Sequence, residues 1–397
     1  MSRWPEVRLD DLVQISGGGT PDRSVNEYYG GEIPWVTPKD MKTWEIFGAQ
    51  ENLTEQGAKN STTRLIEPNS ILIVTRSGVL KHTLPVALNR VRVAINQDIK
   101  ALRCDARVSP DFLARFLKAK AYGILGTVRA TTADNIPTDV LRNLLVPLPP
   151  IGEQCRIVDV LNRADCLRTK RRDSLALLND ISECIFVDVF GPIQKQNELW
   201  PIRRLEDVVR ETKLGLVRSS EEFGDDPWFK VPYVRMNSIT RKGQFDPTTV
   251  LRTNASVHEC SDFALKPGDV LFNTRNSREL VGKTALFREL GLYVFNNNIM
   301  RIRVTPEIDA EYLATAFRTP HLQHELEIRK SGTTSVFAIY WKDLRSLPIP
   351  IPPIRLQHEF KHKVHAVERM KALQCVSLTG LDMLFSSLQH RAFRGEL

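Results

Sequence analysis

The sequence is a duplication, and that limits what it can fold into more than any other feature. Trp4-Pro5, Arg8-Leu9 and Asp11 recur as Trp200-Pro201, Arg204-Leu205 and Asp207, 196 positions later. Toward the end of each copy, Leu148-Pro149-Pro150-Ile151 and Gln154 return as Ile351-Pro352-Pro353-Ile354 and Gln357, 203 positions later. So small a drift in offset describes one ancestral module copied whole, with minor insertions. Solenoid repeats run about 20–50 residues, far below this period. Each copy must therefore bury its own core, and two similar domains joined head to tail can face a ligand that itself has two half-sites.

A chain of 397 residues supports two to three domains. At 42% hydrophobic and 26% charged residues, each half can form a core. No run of about 18 uncharged apolar residues occurs, and the polar start Met1-Ser2-Arg3 has no apolar segment behind it, so a cytoplasmic protein without membrane contact is expected. The cysteines at 104, 155, 166, 184, 260 and 375 form no Cys-x-x-Cys pair, which fits a reducing compartment better than a disulfide framework or a zinc site. The net charge of +8 and pI near 9.2 suit a polyanionic partner, nucleic acid above all.

Each copy opens with turn residues and short apolar runs. Ser16-Gly17-Gly18-Gly19-Thr20-Pro21 is a loop, and Ile33-Pro34-Trp35-Val36 reads as a strand. Glu67-Pro68-Asn69-Ser70 precedes the buried strand Ile71-Leu72-Ile73-Val74, matched by Lys266-Pro267-Gly268-Asp269 before Val270-Leu271-Phe272. A third shared strand carries an Asn-rich patch, Asn96-Gln97 in one copy and Asn296-Asn297-Asn298 in the other. Helices follow at Ser109-Pro110-Asp111 and at Asp309, burying Phe112, Leu113, Phe116 and Leu117 and, in the second copy, Tyr312, Leu313, Ala316 and Phe317. Each globular part thus reads as a mixed α/β domain, residues 1–150 and 192–353.

The remaining segments, 151–191 and 354–397, have a different character. About 40 residues without proline, and after Gly152 without glycine, carry Ile157, Leu161, Ala164, Leu167, Leu175, Leu178, Ile181 and Ile185 at helical spacing. The second copy has Phe360, Val364, Val367, Met370, Leu378, Leu381, Leu384 and Leu388, each 203 positions on. A 40-residue helix is a rod of roughly 60 Å. One apolar stripe on such a rod needs a cover, and the chain supplies one equivalent partner, so an antiparallel helix pair is expected; the competing arrangement folds each helix onto its own domain. The expected pair core is Ile157, Leu161, Ala164, Leu175, Leu178, Ile185, Phe360, Val364, Val367, Leu378, Leu381 and Leu388. Gly380 should weaken the second helix by about 1 kcal/mol relative to Ala, with a kink or frayed turn there. The fold class is α+β, two similar domains with two long helices in a pseudo-two-fold repeat.

Catalytic signatures are thin. Gly282-Lys283-Thr284 resembles the end of a phosphate-binding loop, but Ser277 stands where that motif needs glycine, and Lys283 reads as a surface or DNA-facing residue. Asp22, Asp40 and Lys42 meet the loose pattern of a metal-dependent DNA endonuclease, which the second copy lacks at Asn237-Ser238-Ile239. The Asn-Pro-Pro-aromatic and Asp-Pro-Pro-aromatic segments of amino-methyltransferases are missing. His358, His362 and His365 read as a solvated helix face.

The polar loops are more informative. Thr75-Arg76-Ser77 matches Thr274-Arg275-Asn276. Arginine can pair with guanine O6 and N7, and asparagine with adenine N6 and N7. Asn96, Gln97, Asn297 and Asn298 add amides, while Lys39 and the pair Arg235 and Asn237 extend the set. Thr131 and Thr132 parallel Thr333 and Thr334, suited to phosphate. Turn closure is the competing reading for any one residue; recurrence in both copies favours a shared role. Gly17-Gly18-Gly19-Thr20-Pro21 shows no clear equivalent near Leu214-Gly215-Leu216, so two different half-sites are expected rather than a palindrome.

In this order along two copies, the opening Trp4 to Leu12, the loop Gly17 to Pro21, Thr75-Arg76-Ser77-Gly78, the Pro-rich exits and the ending Ala392 to Leu397 resemble the specificity subunit of type I restriction–modification systems. The resemblance covers nearly the whole chain. It implies a non-catalytic DNA-binding subunit serving phage defence, with each globular part a target-recognition domain reading half of a bipartite double-stranded site. The helices would be a spacer that docks two modification subunits, which methylate adenine at N6, and two restriction subunits can complete the assembly. S-adenosylmethionine, ATP and magnesium would bind those partners, and no cofactor or metal this chain. The alternatives are the endonuclease above and a helix-pair assembly adaptor that binds no DNA.

Overall fold

The structure, a computed structural model, describes residues 4–127, 129–130, 134–191, 195–332 and 335–397. Two compact units divide the chain: Met1–Asp173 with Val376–Leu397, and Ser174–Cys375. Each holds one globular copy and a piece of both long helices.

The first unit is built on a five-stranded sheet in the order Val13–Gly17, Ile99–Cys104, Ile71–Val74, Val86–Asn89, Glu45–Ile46. Its neighbours are antiparallel except the last pair. The run Ile71–Val74 is buried at every position, as a strand covered on both faces must be. Helix Pro110–Ala119 begins at a proline, whose missing N–H costs nothing in the first turn. It buries Phe112, Leu113, Phe116 and Leu117 in the main core. A second sheet runs Asn52–Leu53, Tyr29–Val36, Val93–Ile95, Leu65–Ile66. The chain entrance Glu6–Arg8 pairs with the exit Leu145–Pro147.

The second unit repeats this plan. Its main sheet runs Val209–Leu214, Ile299–Val304, Val270–Asn273, Thr284–Leu286, and its smaller sheet Phe223–Gly224, Leu251–Thr253, Val231–Val234, Val294–Phe295. The parallel pairing of Trp35 with Ala94 and Val36 with Ile95 returns as Tyr233 with Val294 and Val234 with Phe295. Entrance and exit pair again, Ile202–Arg204 with Pro348–Pro350. The interiors differ in charge. Arg301, 2% exposed, meets Glu211, and Arg303 bridges Glu211 at 3.1 Å and Asp269 at 2.7 Å. At matching register the first unit has Ala101, Arg103 and Gln14.

The long helices span Ile151–Phe190 and Ile354–Ala392. Each starts with a buried glutamine. The Gln154 amide accepts from Ser109 N at 2.8 Å and donates to the Pro149 and Arg107 carbonyls; the Gln357 amide accepts from Asp309 N at 2.7 Å and donates to the Pro352 carbonyl. Helix start and domain helix are thereby clamped together. In the first unit Arg156 donates to the Leu397 carbonyl, while Arg168 and Arg172 donate to Asp382 at 2.6 and 2.9 Å. Advancing along one helix means retreating along the other, so the pair is antiparallel. In the second unit Phe186 and Phe190 lie 5.5 and 5.3 Å from Phe360.

Pairing and packing on the domains coexist. Ile157, Leu161 and Ala164 join the first unit's core, as do Phe385, Ala392 and Phe393 from the far end of the second helix. Phe186, Phe190, Phe360 and Val364 join the second unit's core, and Val367 is also buried. Leu175, Leu178, Ile185, Leu378, Leu381 and Leu388 are half-buried. Leu167, Met370 and Leu384, which spacing assigned to the seam, are exposed. A pattern of threes and fours drifts against 3.6 residues per turn over such lengths, and the buried seam passes instead to Phe186, Phe190, Phe385 and Phe393. No frayed turn appears at Gly380, where a kink or frayed turn was expected: the helix is uninterrupted, and open space surrounds that glycine. Gly191, at φ +81°, ends the first helix, its N–H bonded to the Val187 carbonyl.

Candidate nucleic-acid interface

In both units the polar loops converge where the core strands end, through one shared pattern of main-chain hydrogen bonds. In the first unit Gly19 N donates to Ile95 O (3.1 Å), Asn96 N to Val36 O (3.1 Å), Thr75 N to Asp98 O (2.8 Å) and Ile136 N to Thr75 O (2.8 Å). The second unit has Leu216 N to Phe295 O (2.7 Å), Asn296 N to Val234 O (2.9 Å), Thr274 N to Asn298 O (2.8 Å) and Ile339 N to Thr274 O (2.9 Å).

This overturns the expectation that the Gly17–Pro21 loop has no counterpart. A Cβ on Gly18 would sit 2.0 Å from the Ile95 carbonyl oxygen, and one on Gly215 would sit 2.1 Å from that of Phe295. Both loops cross the sheet end so closely that only glycine fits. The next carbonyl is held alike: Trp35 Nε1 donates to Gly19 O at 3.2 Å, and the Tyr233 hydroxyl to Leu216 O at 3.0 Å. Flanking residues diverged around a single retained glycine, so no string of letters marked the match.

The candidate residues separate into scaffold and surface. Thr75 and Thr274 are buried, and their hydroxyls bond the Asp98 and Asn298 carbonyls. Asn96 is buried too, closing a turn on Asp98, and Ser77 caps the turn at Val79. These four hold the loops. Lys39, Arg76 and Gln97 are exposed in the first unit, and Asn237 and Arg275 in the second; Gln97 accepts a hydrogen bond from Thr20 at 2.5 Å. Arg235, Asn276, Asn297 and Asn298 are half-buried. Asn297 N donates to Leu216 O, Asn298 N to the Asn296 side chain, and Asn276 accepts from Ser277 N. Thr131, Thr132, Thr333 and Thr334 lie outside the described residues.

The loop after each unit's central small-sheet strand is equivalent in the two copies. Asp40 accepts from Thr37 N at 2.9 Å, and Ser238 Oγ from Arg235 N at 3.4 Å, which places Lys39 where the second unit has Asn237. The carboxylates of the nuclease alternative are spent on turns. Asp22 accepts from Ser24 N and Oγ, which holds its pKa below the usual range, and Asp40 also accepts from Gln50 N. Among the described residues no three His, Cys, Asp or Glu side chains group as metal ligands.

Lys283 corrects another reading. Its ammonium does not face solvent freely but donates to the Met236 and Ile239 carbonyls, and burial, then the nearby Arg241, lower its pKa. Arg23 carries no mark in the sequence, and nothing local to Arg235 discloses its stacking. Arg23 lies 4.9 Å from the ring centres of both Tyr29 and Trp35 and bonds Glu51 at 2.6 Å; Arg235 lies 5.1 Å from the Phe223 ring. Their aromatic partners are too distant in sequence for spacing to reveal.

The family model described as "Type I restriction modification DNA specificity domain" matches residues 1–176 and again 197–374. The chain belongs to that family. This DNA specificity domain chain is 34% identical over 170 residues to the EcoR124I/EcoR124II specificity subunit of Escherichia coli, a stretch covering 42% of each. Over 258 residues it is 24% identical to the MjaIX specificity subunit of Methanocaldococcus jannaschii, covering 60% of this chain and 58% of that one. The stretches matched thus span about half the length of these relatives. The EcoKI specificity subunit of E. coli K12 is 23% identical over 424 residues, 99% of this chain and 89% of the relative. Two solved structures share the fold across 99% of this chain. One, from a study of type I restriction–modification complex assembly, has TM-score 0.63 at 19% identity and is covered to 98%. The other, the S subunit from M. genitalium, has TM-score 0.56 at 15% identity and is covered to 96%. No helix is long and apolar enough to cross a membrane among the described residues.

Proposed function

We propose that this chain is the specificity subunit of a type I restriction–modification complex. Each unit reads one half of a bipartite double-stranded DNA site, and the long helices form a spacer and a dock for two modification subunits. What supports the reading most is the loop cluster built twice on the same hydrogen bonds, with Arg76 and Arg275 in common but Lys39 and Gln97 standing against Asn237 and Asn297. Shared bonds fix where the loops stand; different tips imply two different half-sites. Adenine methylation and any ATP-driven cleavage belong to partner subunits in the cytoplasm, which hold S-adenosylmethionine, magnesium and ATP.

The test is methylome sequencing of a host with and without this chain alongside its modification subunit. One split methyladenine motif should appear only when both are present. Methylation by either alone, or a continuous palindromic motif, contradicts the proposal. The nuclease alternative predicts magnesium-dependent cleavage lost in Asp40→Ala; the turn bonds made by Asp22 and Asp40 give it no support.

A further inference from the structure

The second unit's recognition loop is held by a device that is absent among the first unit's described residues. Main-chain bonds clasp Lys283 to the sheet: Asn273 N donates to Lys283 O at 2.8 Å, and Gly282 N to Asn273 O at 2.8 Å. Gly282 takes φ +88°, which turns the chain back so that the next side chain leaves the sheet edge. That side chain crosses to the Arg235–Thr240 loop, where its ammonium donates to the carbonyls of Met236 (3.0 Å) and Ile239. A second cation continues the grip, since Arg318 donates to the Lys242 carbonyl at 3.0 Å. Carbonyls at positions 236, 239 and 242 are thus anchored by side chains reaching in from elsewhere in the unit.

The first unit solves the same problem differently. Val74 N donates to Pro85 O at 3.1 Å where the second unit has Asn273 N to Lys283 O, so Pro85 occupies the lysine's place. Proline has no ammonium to send across. There the loop is closed from within by Asp40, which takes the N–H groups of Thr37 and Gln50 and the Thr37 hydroxyl. Where the second unit has the neutral Ser238 taking Arg235 N and adds a cationic donor behind the loop, the first unit relies on an anionic acceptor within it. Lys283 also joins two presenting segments, because Asn273, to which its backbone is clasped, leads directly into Thr274-Arg275-Asn276.

We propose that Lys283 is the positioning residue of the second half-site: its ammonium fixes the loop that presents Arg235 and Asn237, and sets their register against the segment carrying Arg275. It touches no base and neutralises no phosphate. The proposal rests on the DNA-reading role given above.

Lys283→Met keeps the stem and removes the donors. The variant and the wild type, each assembled with modification subunits, are to be compared in competition binding against single-base variants of both half-sites across a salt series. Discrimination at the second half-site should fall about tenfold, with the first half-site and the salt dependence unchanged. A uniform loss on all sequences with a salt slope shallower by about 0.9 makes Lys283 a phosphate contact and overturns the proposal. Unchanged discrimination overturns it as well. A wild-type complex without half-site discrimination would instead refute the DNA-reading role. Amide exchange on the full chain tests the positioning without DNA. Amides of Met236 to Thr240 should exchange about tenfold faster in Lys283→Met, a local opening, and unaltered rates there overturn the proposal whatever the DNA result.

Discussion

The two units share what shapes the polar loops and differ in what occupies them. Gly18 and Gly215, Trp35 and Tyr233, Asn96 and Asn296 all make corresponding close approaches or hydrogen bonds. Yet Lys39 faces solvent where the second unit has Asn237, Asp40 closes the first unit's loop whereas Lys283 holds the second's from behind, and an arginine network built on Arg301 stands where the first unit has Ala101. A duplicated domain can thus keep its loop geometry through main-chain bonds, which tolerate side-chain change, and vary the side chains at the tips. Corresponding steric and electrostatic sites test how far that equivalence reaches.

The largest effect is expected where the helices enter each core. Phe186 sits among Phe190, Tyr312 and Phe360, with centroids 4.9–5.6 Å away, while Phe393 packs on Phe112 and Phe116 at 5.5 and 5.3 Å. Phe186→Ala should cost about 3–5 kcal/mol, read as amide exchange in the second unit. Phe393→Ala should cost about 3 kcal/mol in the first unit. Loss confined to the opposite unit in either case would break the assignment of helix ends to cores.

Next come the glycines. Gly18→Ala and Gly215→Ala each force a methyl onto a carbonyl, at a cost of about 2–3 kcal/mol and of recognition at one half-site. Equal costs sharpen the equivalence; a neutral Gly215→Ala would break it.

The smallest effect concerns charge. Partial burial alone would raise the Glu211 carboxyl, but Arg301 and Arg303 outweigh it and hold the pKa below the usual range. Stability from such a group is present above the unfolded value of about 4.3 and is lost as pH falls through the depressed folded one. The wild-type advantage over Glu211→Gln should therefore be full above about pH 5 and fade below about pH 4. Gln14, at the matching register, gives the first unit no such dependence.

Much of the architecture was legible because it repeats. The Pro-rich exits, Gln154 and Gln357, the buried strands and both long helices all stand in the sequence twice. Strong periodicity also revealed Ile157, Leu161 and Phe360 as buried. Other features were hidden for physical reasons. The seam drifted off its assigned positions, so Leu167 and Leu384 emerged exposed and Phe186 and Phe385 buried. Thr75 and Thr274 looked like reading residues, because hydroxyls that bond a carbonyl and hydroxyls that bond DNA are the same letter. Lys283 resembled a surface residue, since its carbonyl partners lie more than 40 positions away. Nothing in local spacing marks a side chain that works on another segment's backbone.

The most direct measurement exchanges the tips while leaving the supports alone. Lys39→Asn and Asn237→Lys, each in the assembled complex, are to be profiled against libraries randomised at both half-sites. Lys39→Asn should alter base preference in one half only, Asn237→Lys in the other, each by about 1–3 kcal/mol at the affected position. Both substitutions acting on the same half, or on neither, would contradict two independent readers built on one loop frame.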